Sequence, residues 1–256
     1  MQCHSINNLK FITMKNYKTF SLSLLVMIFL SSSVSFAQEE EEAESSSNFD
    51  AGVDIYSSYV WRGSKFGEGP AFQPWVSFAV GGLEIGAWGS VCVGPTEAAE
   101  MDLYVSYGFD FGLSLGVTDY YYPGSNYFEY SDSAGSHGFE LNVGYEIGGF
   151  SIAANYMLNE AGGAGTDGGD LYFELGYAFE NVSLFAGAGN GWHTVEDGVE
   201  DPKPDGTFDD VFNVVNVGLS TGKDIKITDS FSLPLSGSVI LNPYTEQFFI
   251  VVGLSL

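Results

Sequence analysis

Residues 49–62 read FDAGVDIYSSYVWR, a stretch in which large apolar residues alternate with polar or very small ones. In an extended strand, successive side chains point to opposite faces. One face of this strand would carry Phe49, Ala51, Val53, Ile55, Tyr59 and Trp61; the other would carry Asp50, Gly52, Asp54, Tyr56, Ser58 and Arg62. The twelve steps from Phe49 to Trp61 span roughly 30 Å at a rise of about 3.3 Å and a tilt of about 40°. This stretch therefore predicts a membrane-crossing β-strand with aromatic residues near both interfaces.

The same alternation recurs in about eleven further segments down to Leu256. Gly81-Gly82 and Gly148-Gly149 separate two pairs of segments as tight hairpin turns would. A closed sheet leaves no unpaired edge in lipid. The fold class predicted for residues 49–256 is therefore all-β, an antiparallel up-and-down transmembrane β-barrel of about 12 strands. Segments 182–192, 211–220 and 231–242 alternate less clearly, Pro234 interrupts the last, and a count of ten to fourteen strands stays open.

A soluble barrel or sandwich would also alternate, but its outward face would carry many Lys and Glu residues. The face opposite the apolar one here is composed mainly of Gly, Ser, Asn, Tyr and Asp, with almost no Lys. The longer polar connections, residues 63–70, 94–99, 123–138, 160–169 and 193–210, are predicted to lie outside the cell. The connections 221–230 and 242–246 run against this length rule.

The N-terminal residues predict export. Lys15 and Lys18 precede an apolar run, and Ser35-Phe36-Ala37 is typical of a signal-peptidase site. We interpret residues 1–37 as a signal peptide, with Met14 as the initiator, and residues 38–48 as an acidic periplasmic linker. The predicted location is the outer membrane of a Gram-negative cell. The predicted partners are outer-membrane lipid, lipopolysaccharide, the barrel-assembly machinery and small solutes.

Charge and cysteine content exclude several functions. Removing the predicted signal peptide leaves five basic against 33 acidic residues, a formal charge of −28. Nucleic acid binding needs basic patches and is therefore not expected. Cys92 is the only cysteine after the predicted signal peptide, which excludes a disulfide framework and a cysteine metal site. The sequence predicts no cofactor.

The candidate lumen-lining residues are those at the alternate positions opposite the apolar face, which we call the inward parity. Six carboxylates have this parity: Asp54, Glu84, Asp102, Glu140, Glu146 and Glu174. They would favour cations in an open lumen, or would only keep the interior solvated. Bulky rings with the same parity, among them Trp75, Trp88 and Tyr104, would carry a sugar or amphiphile, or would fill the barrel. Arg62, the only arginine, would pair with a lumen carboxylate and narrow the pore, or form a structural ion pair at a strand end.

Enzyme function has little support. Only His137 and His193 follow the predicted signal peptide, both on predicted loops, with no spacing that indicates a catalytic triad or a metal site. Residues 162–167, GGAGTD, match the start of a calcium-binding nonapeptide repeat, but such repeats work only when stacked and this is one copy. No catalytic residue and no metal ligand is predicted.

Several short motifs carry a family resemblance over about residues 49–160: SYVWRG (58–63), PAFQ (70–73), GAWGS (86–90), EMDLY (100–104) and DYYYPG (119–124). On these motifs the chain resembles the TorF family, described as porins and as conserved outer-membrane proteins of the Gcw type. The resemblance implies a barrel that passes small solutes and no catalytic residue. The sequence thus predicts a porin with a preference for cations. The alternatives are a closed barrel whose extracellular loops bind a ligand or partner and, third, a barrel hydrolase.

Overall fold

A computed structural model describes residues 48–94, 98–194, 211–229 and 231–256. Its strands are β1 (Phe49–Tyr56), β2 (Tyr59–Trp61), β3 (Ser64–Phe66), β4 (Ala71–Val80), β5 (Leu83–Cys92), β6 (Ala99–Gly108), β7 (Leu113–Tyr121), β8 (His137–Ile147), β9 (Phe150–Met157), β10 (Leu171–Ala178), β11 (Ser183–Gly189), β12 (Asn213–Lys226), β13 (Ser232–Asn242) and β14 (Gln247–Ser255). A short 3-10 helix spans Gly191–His193. The predicted signal peptide, and all of the predicted linker except Asn48, lie outside the described residues.

Twelve of these strands close into an antiparallel barrel, in which β4 to β14 follow one another in chain order and β14 pairs with β1. The predicted fold class is confirmed. The alternation is visible in burial: in β6, Met101 and Leu103 are exposed while Asp102 and Tyr104 are buried. The outer surface is therefore apolar and the interior polar and aromatic. Among the described residues, no helix is long and apolar enough to cross a membrane.

The first predicted strand is wrong beyond Tyr56. The chain bends at Ser57-Ser58, and β2 pairs with β3 as a separate two-stranded hairpin. Tyr59 and Trp61, expected on the outer face, are each only 7% exposed and belong to an interior aromatic cluster. The physical reason is that the side chains of a twelve-stranded wall do not fill the interior of the barrel, which leaves room for the hairpin.

The C-terminal strands differ more modestly from prediction. β12 continues to Lys226, so the anomalously long predicted connection 221–230 is mostly strand. Pro234 lies within β13 opposite Asp224 of β12, but the pairing of β13 with β14 begins only at Leu235 and Leu254. Proline is tolerated there because no β14 partner needs its missing N–H. His137, predicted on a loop, begins β8.

The junction between the first and last strands is short. β1 pairs with β14 through three residue pairs, Asp54–Ser255 to Tyr56–Gly253, whereas it pairs with β4 through eight. We call the end of the barrel at which β1 gives way to β2 the hairpin end, and the opposite end the terminal end. At the hairpin end β14 extends past the top of β1, because β1 bends into the barrel there.

Candidate functional site

The β2–β3 hairpin lies across the interior of the barrel. A two-residue turn, Arg62–Gly63, joins its strands, with φ angles of 48° and 84°. Positive φ at both central positions is typical of the type I′ turn that suits the twist of a tight hairpin. At the tip, the Nδ2 of Asn242 on β13 donates a hydrogen bond to the carbonyl of Gly63 at 3.2 Å.

One side of the hairpin packs on an aromatic wall. The ring of Tyr59 contacts Trp88 at a centroid distance of 5.7 Å, and Trp61 contacts Tyr120 at 5.8 Å. The same cluster includes Ala71, Cys92, Tyr104 and Met157, with Phe66, Trp75 and Trp192 packed against it. Val60, on the other side of β2, packs with Ile240 and Val251 of the opposite wall. Both sides of the hairpin therefore contact the barrel, and the rings fill the interior at this level.

Arg62 anchors the hairpin to the wall. Its two terminal nitrogens donate to the two carboxylate oxygens of Glu140 at 2.7 and 2.9 Å. The guanidinium also lies 4.4 Å from the ring centroids of both Trp61 and Tyr172. A bidentate, charge-assisted pair combined with ring stacking fixes both the position and the orientation of the guanidinium. The ion pair thus joins the hairpin to the wall across the interior, rather than sitting at the end of a barrel strand.

His193 completes the anchor from the short helix. Its Nε2 lies 3.3 Å from a terminal nitrogen of Arg62, and its ring contacts Trp61 and Tyr172. Burial, and then the positive charge of Arg62, hold the pKa of His193 well below its usual range. The imidazole is therefore neutral, and its Nε2 accepts the hydrogen bond from Arg62.

Four interior carboxylates, those of Glu84, Glu100, Glu140 and Glu174, accept hydrogen bonds from tyrosine hydroxyl groups. Tyr59 and Tyr122 donate to Glu100 at 2.7 and 3.2 Å. Tyr120 donates to Glu140 at 3.0 Å, and Tyr104 to Glu84 at 2.9 Å. Glu174 accepts from the hydroxyl of Tyr172 and from Asn216. These bonds connect β5, β6, β7, β8, β10 and β12 around the hairpin.

The structure brings only part of the predicted set together. Of the ten predicted lumen residues, Arg62, Glu140, Trp88 and Tyr104 lie in the hairpin contacts, and Trp75 packs against them. Asp102 lies between Trp88 and Tyr120 in the register of β5, β6 and β7. Glu84 and Glu174 reach the hairpin contacts only through Tyr104 and Tyr172, to which they are hydrogen-bonded, and Asp54 and Glu146 lie on β1 and β8.

Sequence reasoning missed the other half of the site: Tyr59, Trp61, Glu100, Trp192 and His193. One local signal was available, because Arg62-Gly63 stands between two short alternating segments and X-Gly dipeptides mark tight hairpins. The contacts of Glu100 and His193 have no such local signal, because their partners lie 41 and 131 residues away in the chain.

His137 lies elsewhere, on the outer face of the wall near the hairpin end. Its Nδ1 contacts the carboxylate of Asp119 at 2.8 Å, and its Nε2 contacts the carbonyl of Tyr127. Tyr130 and Tyr121 stack on the two sides of the ring. Both ring nitrogens face oxygen acceptors, so neither is oriented toward a hydroxyl nucleophile. In the described part of the chain, no group of three or more His, Cys, Asp or Glu side chains is arranged to hold a metal ion.

Solved outer-membrane barrels are similar to this one in fold at low sequence identity. A mutant of the Rh. blastica porin is 14% identical over 73% of this chain, with a TM-score of 0.35, and this chain spans 55% of the porin. An active-site mutant of the Escherichia coli outer membrane phospholipase A is 12% identical and is matched over 92% of this chain and 97% of its own, with a TM-score of 0.42. The calcium-bound phospholipase dimer of Salmonella typhi is 12% identical over 80% of this chain and 88% of its own, with a TM-score of 0.38.

No curated protein sequence matches the chain. A family model does match it, over residues 40–223, which is most of its length. The chain belongs to the family described as "Bacterial protein of unknown function (Gcw_chp)".

Proposed function

We propose that this protein is a narrow, cation-preferring channel of the outer membrane, a porin in the sense of the TorF resemblance, whose passage is restricted by the β2–β3 hairpin. The observation that carries the proposal is a polar, acidic interior crossed by an arginine-anchored hairpin, within a wall whose outer face is apolar. Its surroundings would be outer-membrane lipid and lipopolysaccharide, reached through a signal peptide and the assembly machinery. The terminal end would face the periplasm.

The charge distribution supports a preference for cations. In the described residues the basic side chains are Arg62, Lys65, Lys223 and Lys226. Arg62 is already neutralised by Glu140. Once water hydrates the lumen, we expect the carboxylates of the remaining wall, such as Glu84, Asp102 and Glu146, to ionise and to make the interior potential negative.

Recordings on the refolded protein in planar bilayers test this function. We expect small, discrete currents in the wild type, with a reversal potential in a salt gradient that indicates cation preference. Protein that stays unfolded, recognised by its unshifted migration without heating, is the control. The channel would be refuted if no current is seen at any salt concentration, either in the wild type or in a variant in which two glycines replace residues 59–66, which we call the hairpin-deleted variant.

The carboxylates of the terminal half set the selectivity. We expect the double variant Glu84→Gln, Glu146→Gln to lower the cation-to-anion permeability ratio severalfold, because two negative charges leave the interior while the hairpin contacts stay intact. Glu180→Gln is the matched control, because Glu180 is exposed in the turn after β10. An unchanged reversal potential in the double variant would show that these groups do not face the ion path.

Acid should loosen the anchor through His193. The pKa of this histidine is lower while the hairpin lies in the barrel interior than when the ring is hydrated. The protein with its hairpin in the interior therefore binds fewer protons, and this arrangement loses relative stability as pH falls below about 6.5. In the same recordings, we expect the open fraction, meaning the share of time for which the channel conducts, to rise by up to about tenfold per pH unit between pH 6.5 and 5.5, because one proton is taken up. His193→Gln keeps an acceptor without titrating and should flatten this dependence. An equally steep dependence in that variant would assign it to other groups.

A closed barrel whose outer loops bind a ligand is the second candidate. The packing of the hairpin on both walls favours it, since Val60 and Trp61 are only 1% and 7% exposed. A wild type without current, combined with a hairpin-deleted variant that conducts, would favour this candidate. Hydrolase activity is not proposed, because both ring nitrogens of His137 are already engaged.

A further inference from the structure

The hairpin end of β14 has an unpaired edge. The last contacts between β1 and β14 are made by Ser57, whose N–H donates to the carbonyl of Val252 at 2.8 Å and whose hydroxyl accepts from the Val252 N–H at 3.0 Å. Beyond this point, residues 247–251 of β14 pair with β13 on one side and, among the described residues, with no strand on the other. We call this side of residues 247–251 the free edge.

The free edge continues an existing ladder. The hydrogen bonds between Val53 and Leu256, followed by those between Ser57 and Val252, show which residues face each other across the seam. Two residues further, the same register places Tyr59 opposite Ile250, and then Trp61 opposite Phe248. These are hydrogen-bonding positions of an antiparallel ladder, so the backbone groups of Ile250 and Phe248 point toward the place that β2 would occupy.

The β2–β3 hairpin is the distal part of the long β1–β4 hairpin, bent into the barrel. β1 and β4 pair up to Tyr56 and Ala71, and pairing resumes from Tyr59 and Phe66. Only Ser57-Ser58 on one strand and residues 67–70 on the other separate the two ladders. Gly67 and Gly69 in the second connection have φ angles of 65° and 86°, which makes this connection a short, sharply bent hinge.

Side-chain parity fits a second position of the hairpin. If β1 continued straight through Trp61, Tyr59 and Trp61 would join the outer face, beside Ile250 and Phe248, which are 66% and 60% exposed. This is the alternation that the sequence shows from Phe49 to Trp61, interrupted on the apolar face only by Ser57. An aromatic pair at the end of a membrane-crossing strand is typical of the lipid interface.

The inserted position also leaves polar groups without partners. In the described structure the indole N–H of Trp88 and the Oδ1 of Asp102 are buried and lack a hydrogen-bond partner. Trp88 lies directly against Tyr59 of the hairpin. Moving the hairpin would admit water to these groups, which partly compensates for the lost contacts of Arg62.

We propose that the free edge of β14 is the docking site of the chain's own β2 strand, so that the hairpin exchanges between an inserted position, which blocks the interior, and a wall position, which extends the β1–β14 ladder. The gating role of this exchange rests on the proposed channel function, whereas the exchange itself does not. Among the strands that the structure describes, β2 is the one that continues both the ladder and the parity.

Disulfide trapping tests the exchange directly. In a Cys92→Ala background, Tyr59→Cys combined with Ile250→Cys reports the wall position, because an antiparallel hydrogen-bonded pair has Cα atoms about 5.5 Å apart, within disulfide range. In the inserted position Tyr59 faces Glu100 inside the barrel, whereas Ile250 faces outward. Tyr59→Cys with Ile152→Cys is the matched control, because Ile152 is also exposed on the outer face, on β9.

We expect a Tyr59–Ile250 cross-link in native membranes under mild oxidation. Adding Arg62→Ala should raise its yield about tenfold, in line with the loss of a charge-assisted anchor; the control pair should stay unlinked. Heat-modifiable migration verifies that each variant is folded. A folded Arg62→Ala variant that never links Tyr59 to Ile250 overturns the exchange, even if deletion of the hairpin opens a channel. Cross-linking without any current in the linked protein supports the exchange and refutes the channel instead.

Discussion

Replacing residues 59–66 by two glycines raises the single-channel conductance by about tenfold or more. The replaced segment contains Tyr59, Val60 and Trp61, each no more than 7% exposed because they fill the interior at the hairpin end. Eight-stranded barrels are filled by their own side chains and barrels of sixteen or more strands hold an aqueous channel. A twelve-stranded barrel without its hairpin should therefore conduct like a small pore.

Planar-bilayer recordings measure this effect, with heat-modifiable migration to verify that the shortened barrel is folded. Lys65→Ala is the matched control, since this side chain is exposed on β3 and makes no part of the described anchor. It should leave the conductance at the wild-type level. A folded, shortened protein with wild-type conductance would show that the hairpin does not limit passage.

Gly63→Ala should produce nearly the same opening with a single methyl group. Gly63 has a φ of 84°, and a Cβ at this position would lie 1.9 Å from the carbonyl oxygen of Val215. The obstacle is backbone of β12, so no side-chain rotation relieves it. An L-residue also costs roughly 1–2 kcal/mol in the left-handed region. The tip of the hairpin therefore cannot take its position against β12, and its contacts with Glu140 and Asn242 are weakened together.

Gly237→Ala on β13 is the matched control, because a Cβ there meets no atom within 4 Å and the backbone needs no positive φ. We expect the open fraction of Gly63→Ala to approach that of the hairpin-deleted protein, and that of Gly237→Ala to match the wild type. If Gly63→Ala is folded and its open fraction equals that of the wild type, the close approach of the tip to β12 is not required to hold the hairpin in place.

The barrel itself was predictable from sequence because alternation is a local property. In β6, the parity of Met101, Asp102, Leu103 and Tyr104 assigns each residue to a face without reference to any other strand. The number of strands followed from the same pattern. Pro234 and the long apparent connection after Ser220 misled only about the lengths of β12 and β13, because pairing with neighbours extended these strands.

The hairpin was not predictable in the same way. The alternation places Tyr59 and Trp61 on one face of a strand, but it does not indicate that the chain bends before them. Aromatic side chains are suited both to the lipid interface and to a packed interior. The pair between Arg62 and Glu140 joins residues 78 positions apart, and its formation depends on where β8 stands in the closed ring. Parity indicated that both residues point inward, but only the fold shows which carboxylate the single arginine selects.

The short seam between β1 and β14 has a consequence for assembly. Three residue pairs and the flanking hydrogen bonds of Val53 and Ser57 hold the first and last strands together, and Val60 of the hairpin also packs on Ile240 and Val251 from inside. The first strand is thus fastened to the last two both at the edge and through the segment that follows it. Since these contacts join opposite ends of the chain, they carry the largest loop-closure entropy and should form late in folding. Pairing of β1 with β14 and packing of the hairpin in the interior then become one cooperative event. A folding intermediate that precedes this step would lack both the closed sheet and the packed interior.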